Sequence, residues 1–175
     1  KEAKNFGEVL EVASSADTNH NYIPKGYEIP TDVDLVHFTS NNTIFGTQFQ
    51  AYPETEAPLV ADMSSDIFSK PVDVSKFGII YAGAQKNLGP AGATLVIVKK
   101  DILGNTGRAI PSMLDYQVQI KGESMFNTPP VFAIYVSMLN LEYMKAQGGL
   151  KVIAKANEEK AAMLYQEIDN NPSFV

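Results

Sequence analysis

Residues 78–98 read GIIYAGAQKNLGPAGATLVIV, and this stretch decides the fold. It opens on an apolar run, Ile79-Ile80-Tyr81. It thins to the small residues Ala82, Gly83 and Ala84, presents a lone lysine, Lys86, and turns on Gly89-Pro90-Ala91-Gly92. It returns as the β-branched run Thr94-Leu95-Val96-Ile97-Val98. Short apolar runs bounded by Gly and Pro read as strands, so Gly78–Ala82 and Thr94–Val98 are expected to be strands joined through the lysine turn.

The same signal recurs upstream at Gly7–Ser14, Asp34–Thr39 and Ala57–Ala61. Fully apolar runs of this length fit strands covered on both faces, as in α/β sheets. Between them, Val74–Phe77 reads as one helical turn, and Leu103–Asn127 as irregular. Thr128 offers an N-cap with Pro129 and Pro130 at the first helical positions. The helix they open is expected to run to about Ala146, where Gly148-Gly149 breaks it. A second helix is expected over Leu150–Ile168.

The 175 residues carry a net charge of −6, no cysteine, no tryptophan, two histidines and a single arginine, Arg108. An acidic chain without a basic stripe is a poor nucleic-acid binder. Without cysteine there is no disulfide framework and no thiolate metal site, and two histidines are too few for a histidine-rich cluster; no metal is expected. Cysteine-free composition fits the cytoplasm, and no apolar run approaches a membrane span. Lys1–Phe6 reads as the tail of a helix and Asn170-Asn171-Pro172 as the close of another, so the sequence is expected to be an internal piece of a longer protein.

Three polar positions each follow an apolar run: Thr43, Asp62 and the pair Gln85-Lys86. In open α/β sheets, ligands bind outside the carboxyl ends of the strands, so these groups are expected to share one crevice. A lysine drawn out of water becomes a nucleophile suited to Schiff-base chemistry. A carboxylate at a strand end can pair with a pyridinium nitrogen and keep a ring in its electron-accepting form. A threonine hydroxyl can donate to a phenolate. Asn127-Thr128-Pro129-Pro130 opens a helix, where free N–H groups favour phosphate. Each position also has a plain reading: a solvated lysine, a turn aspartate, a loop threonine, a helix cap. Neither GxxxxGK[ST] nor GxGxxG occurs, which excludes the P-loop and dinucleotide fingerprints. His37 lies within an apolar strand and reads as a core histidine; His20 reads as solvated.

Val60-Ala61-Asp62-Met63-Ser64-Ser65-Asp66-Ile67, then Tyr81 through Gly92, then Met125-Phe126-Asn127-Thr128-Pro129-Pro130 resemble the phosphoserine aminotransferases of the class V group. The resemblance runs through nearly the whole chain. It implies the large domain of a fold-type I pyridoxal-phosphate enzyme: an α/β, three-layer α-β-α domain on a mainly parallel sheet, cut at both ends. Residues 1–148 would be the cofactor-binding core, and residues 149–175 a connecting helix toward a small domain. The reaction implied is transamination between glutamate and 3-phosphohydroxypyruvate, giving O-phosphoserine and 2-oxoglutarate in serine biosynthesis; some members also serve vitamin B6 synthesis. By position, the resemblance makes Lys86 the Schiff-base lysine and catalytic base. Asp62 becomes the partner of the pyridine nitrogen, Thr43 of the phenolic oxygen, and Gln85 of the cofactor phosphate. Asn127 and Thr128 would reach the phosphate of a neighbouring subunit's cofactor in a homodimer.

The chain departs from the family in two respects. The family stacks a tryptophan on the ring, and this chain has none; its arginine clamps are not represented by Arg108. The piece alone is therefore expected to be inactive and to bind cofactor weakly. Two rival readings stand: another class V enzyme, such as a desulfurase or serine–glyoxylate-type transaminase, and a non-catalytic α/β interaction domain.

Overall fold

The computed structural model describes residues 2–174. Four strands form one sheet in the order β1 (Val36–Thr39), β2 (Leu59–Asp62), β3 (Ile79–Gly83), β4 (Thr94–Val98). β1 and β2 run parallel, as do β2 and β3, while β4 returns antiparallel to β3. The sheet is thus mixed but mainly parallel, as the resemblance implies. Three helices follow: α1 (Tyr116–Lys121), α2 (Val131–Ala146) and α3 (Leu150–Asn170).

The central strands alternate rather than being buried on both sides. Phe38, Leu59, Ala61, Ile80 and Ala82 are buried, whereas Val60, Asp62, Ile79 and Tyr81 are half-buried. One face of the sheet therefore carries the core, completed by Met63, Ile67, Phe77 and Leu88. Small Ala61 and Ala82, both 0% exposed, let these larger side chains seat directly on the strands. Phe38 anchors an aromatic cluster: its ring meets Phe49 edge-on at 5.2 Å and Tyr52 at 5.6 Å, the offset geometry that ring quadrupoles favour. The opposite face presents His37, Asp62 and Tyr81.

Gly7–Ser14 is not a strand. Val9, Leu10 and Val12 are 36–63% exposed, and among the described residues no neighbouring strand takes up the segment's backbone groups. Apolar composition marked a segment able to pair, but pairing needs a free ladder beside it. The segment instead lines a cavity on the open side of the sheet. At the other end of the expected range, Glu2–Asn5 forms a single 3-10 turn; Lys1 lies outside the described residues.

The stretch expected to be irregular contains α1. Asp115 caps it by accepting from the Gln117 N–H at 2.8 Å, and Gly122 closes it. That Asp-to-Gly frame is a start-and-stop signal legible in the sequence. Conversely, Thr128 does not cap α2. The helix begins at Val131 with Pro130 in the cap position and no side-chain cap bond. Each residue before a proline is pushed out of the helical region, so Thr128 and Pro129 are both excluded and the helix starts only past the second proline. The break between α2 and α3 is where expected: Gly148 and Gly149 take φ of 102° and 77°, a region other residues avoid. The helix α3 runs two residues beyond its expected end.

Candidate functional site

Thr43, Asp62 and Lys86 line one cavity of about 680 Å³ at the carboxyl ends of β1 and β2, together with His37, Ser64 and Ser65. Each is positioned by its own local device. Asp62 is the last residue of β2, and its Oδ1 accepts from the Ser64 N–H at 2.9 Å, an Asx turn that ends the strand. Ser64 Oγ in turn accepts from the Gly83 N–H at 3.0 Å, tying the end of β2 to the end of β3.

Thr43 sits in the turn after β1. Asn42 Oδ1 accepts from the Ile44 and Phe45 N–H groups at 3.1 and 3.2 Å. The flanks of the turn close through an Asn41–Gln48 bridge. Beneath it, buried Ser40 donates to Asp66 Oδ1 at 2.5 Å, and Gln48 donates to Asp66 Oδ2 at 3.1 Å. A buried carboxylate with polar partners on both oxygens is a stable anchor.

Lys86 lies in the turn after β3, a turn fixed on both sides. Asn87 Nδ2 donates to the Ile67 carbonyl at 2.6 Å, and Asn140 Nδ2 of α2 donates to the carbonyls of Asn87 and Leu88 at 3.0 and 2.9 Å. Gly89 packs against α2 so closely that a Cβ there would lie 2.5 Å from Ser137 Oγ. With its backbone held, Lys86 projects into the cavity. Its Nζ donates to Thr43 Oγ1 at 2.5 Å and to Ser65 Oγ at 2.6 Å, and these two hydroxyls are 2.7 Å apart. The amine is thus hydrogen-bonded to two hydroxyls, and Asp62 lines the same cavity.

Ser65 is the residue that sequence reasoning missed. It stands three positions after Asp62, and the signal available was the Ser64-Ser65 pair directly following a strand-end aspartate. His37, expected in the core, instead faces the cavity, where its Nε2 lies 2.9 Å from the Tyr81 hydroxyl. Burial lowers its pKa from the ordinary 6.5, with Asp62 pulling in the opposite direction. Tyr81 is held above the ordinary 10.0, first by burial, then by the negative charge of Asp62 and its hydrogen bonding, with a further contribution from Tyr116.

The other expected positions are not brought into this cavity. Gln85 is exposed and folds back over Gly83, where a Cβ would lie 2.5 Å from its Oε1. Asn127 and Thr128 are exposed, and Asn127 Nδ2 lies 2.7 Å from the Met113 sulfur. Arg108 donates to the Phe6 carbonyl at 2.6 Å and lies outside the cavity lining. Among the described residues no cluster of metal-ligating side chains occurs, and no helix is long and apolar enough to cross a membrane.

Residues 12–175 match the family model for class-V aminotransferases. The chain belongs to the class-V aminotransferases. Within this family it is 64% identical over 174 residues to the phosphoserine aminotransferase of Flavobacterium johnsoniae, covering 99% of this chain and 49% of that protein. Among solved structures, the phosphoserine aminotransferase from Bacillus circulans subsp. alkalophilus superposes with a TM-score of 0.92 at 44% identity, over 97% of this chain and 48% of that one. The pyridoxal-phosphate-bound phosphoserine aminotransferase of Trichomonas vaginalis superposes with a TM-score of 0.84 at 38% identity, over 89% and 46%. The chain spans about half the length of the relatives it matches. As a class-V aminotransferase segment it thus carries the mixed, mainly parallel sheet of the family and a lysine at a strand-end cavity.

Proposed function

We propose that this chain is the cofactor-binding core of a pyridoxal-phosphate-dependent phosphoserine aminotransferase. The reaction is amino transfer between glutamate and 3-phosphohydroxypyruvate, yielding O-phosphoserine and 2-oxoglutarate. The supporting observation is the triad of Lys86 Nζ, Thr43 Oγ1 and Ser65 Oγ within 2.5–2.7 Å of one another, in the cavity that Asp62 also lines.

The donor set of the cavity fits three of the cofactor's groups. An amine suits the aldehyde carbon, a carboxylate the ring nitrogen, and a hydroxyl the phenolic oxygen. When bound, pyridoxal phosphate supplies an electron sink for the carbanion that amino transfer requires. Lys86 would hold the cofactor through its Nζ, and the same amine would move the α-proton of the amino donor. Thr43 and Ser65 orient that amine; Thr43 also donates to the ring's phenolic oxygen. Asp62 holds the ring nitrogen protonated.

Gln85 is assigned to the cofactor phosphate, a role that requires its amide to swing off Gly83. Asn127 and Thr128, exposed and away from this chain's cavity, suit a site completed across a homodimer. Residues 1–148 then form the core and 149–175 lead toward a second, small domain. The setting is the cytoplasm, and a phosphorylated substrate of vitamin B6 synthesis is a second candidate acceptor.

The test is amino transfer from glutamate to 3-phosphohydroxypyruvate by the full-length protein. The expected outcome is phosphoserine formation that Lys86→Ala abolishes and Asp62→Ala lowers by about a hundredfold to a thousandfold, as loss of electrostatic stabilisation at a reacting centre does. Unchanged turnover in Lys86→Ala contradicts the proposal.

A further inference from the structure

The contact between His37 and Tyr81 has no part in the roles above. His37 lies on β1 and Tyr81 on β3, with β2 between them. Their 2.9 Å contact therefore crosses β2, on the face that carries Asp62. The register places Tyr81 beside Asp62, and Asp62 beside Thr39, two residues after His37. The rings lie 6.0 Å apart, inclined by 24°. Asp62 is the charge that opposes burial at His37 and adds to burial in raising the pKa of the Tyr81 phenol, and its register position beside Tyr81 puts its carboxylate next to that hydroxyl's strand. The hydroxyl's contact of standard geometry is the one to His37.

One proton decides how these three groups connect. A tyrosine hydroxyl has a single hydrogen to donate, and an ionised carboxylate is an acceptor only. If His37 carried its proton on Nδ1, Nε2 would take the phenol's hydrogen and nothing would be left for Asp62. With the proton on Nε2, the imidazole donates to the phenol oxygen, and the phenol's hydrogen is free to point at the carboxylate. Only the second arrangement leaves the phenol a hydrogen for Asp62.

We propose that His37 and Tyr81 are positioning residues for Asp62, joined in a directed relay His37 Nε2–H to Tyr81 O–H to the Asp62 carboxylate. The inference rests on the cofactor reading of the cavity, because it assigns the relay the task of aiming that carboxylate at the ring nitrogen. The Ser64 N–H holds Oδ1 from the chain side, and the phenol holds the group from the sheet side. A carboxylate held at two points keeps one rotamer when the ring enters, as the outer partners of metal ligands do for theirs.

The test uses the full-length protein, with nitrogen-15 in its histidines, first without cofactor and then titrated with pyridoxal phosphate. The neutral His37 ring is expected to carry its proton on Nε2, a readout that needs no variant. Tyr81→Phe is expected to weaken cofactor binding on the order of tenfold and to shift the visible absorption band of the bound cofactor. In an Asp62→Asn background, Tyr81→Phe is expected to add nothing. His37→Gln, whose amide donates to the phenol, is expected to retain most of the affinity that His37→Leu loses. A proton on Nδ1, or a Tyr81→Phe effect undiminished in Asp62→Asn, overturns the relay while a Lys86 adduct leaves the cofactor reading standing. Absence of any borohydride-reducible adduct on Lys86 in the unaltered protein removes that reading and the relay together.

Discussion

Asn140, in the middle of α2, donates to the main-chain carbonyls of both Asn87 and Leu88 at 3.0 and 2.9 Å. One amide therefore fixes the turn that presents Lys86. Truncating it leaves two partly buried acceptors without their donor, at a cost of about 1–3 kcal/mol. Asn140→Ala is expected to lower the thermal midpoint of the full-length protein and to slow adduct formation at Lys86 without abolishing it. Calorimetry beside a time course of the cofactor's absorbance checks both, and an unchanged midpoint would count against the turn being held this way.

Gly89 has no room for a side chain. A Cβ there would lie 2.5 Å from Ser137 Oγ and 3.2 Å from the Ser137 Cα. Gly89→Ala must push α2 from the turn that carries Lys86, an overpacking cost of about 1–3 kcal/mol. Ser137 Oγ is buried without a hydrogen-bond partner, so Ser137→Ala alone is expected to be neutral or mildly stabilising. Because the helix backbone still meets the new methyl, the double variant should recover only part of the loss. Urea unfolding of the three variants measures each step.

Asp66 is 7% exposed and accepts from Ser40 on one oxygen and Gln48 on the other. It supports the Thr43 turn from beneath. Asp66→Ala strands the Gln48 amide and leaves the Ser40 hydroxyl only the Asp62 carbonyl, 3.0 Å away, and the expected loss is about 1.5–3 kcal/mol, the range for a hydrogen bond to a charged group. Denaturant titration reads the loss, and a change below about 0.5 kcal/mol, the level of an ordinary surface substitution, would refute the anchoring role.

How much of this was legible in the sequence depends on what each signal measured. The strands at Val36–Thr39, Leu59–Asp62, Ile79–Gly83 and Thr94–Val98 were readable because each apolar run is short and sharply bounded. Gly7–Ser14 has the same composition, yet composition reports only willingness to pair, and the neighbour that decides pairing is a long-range matter. Lys86, Asp62 and Thr43 could be grouped from sequence because each lies at or just past the end of an apolar run, and strand ends converge in a parallel sheet; the structure brings the three to one cavity. Ser65 escaped because its contact with Lys86, 21 residues away, depends on the turn after Asp62 and not on any local pattern. His37 was placed in the core by its apolar neighbours, but alternation along β1 turns it to the opposite face from Phe38.

The imidazole of His37 gives a pH signature. Burial holds its pKa below the ordinary 6.5, with Asp62 opposing and the neutral hydroxyl of Tyr81 its hydrogen-bond partner. A group depressed in the folded state favours folding above its unfolded value, and that support is lost as pH falls through the folded one. Stability of the full-length protein is thus expected to decline more steeply between about pH 7 and about pH 5 than that of His37→Gln. Parallel unfolding curves across that range make the comparison; identical slopes would contradict it.

The account turns on the Nζ of Lys86 being the atom that receives pyridoxal phosphate. Reducing the loaded full-length protein with borohydride and mapping the product by peptide mass spectrometry addresses that atom alone. A single pyridoxyl group on the peptide containing Lys86, absent from Lys86→Ala, is the predicted result. A label on a different lysine, or no label while Lys86 is intact, would contradict the account.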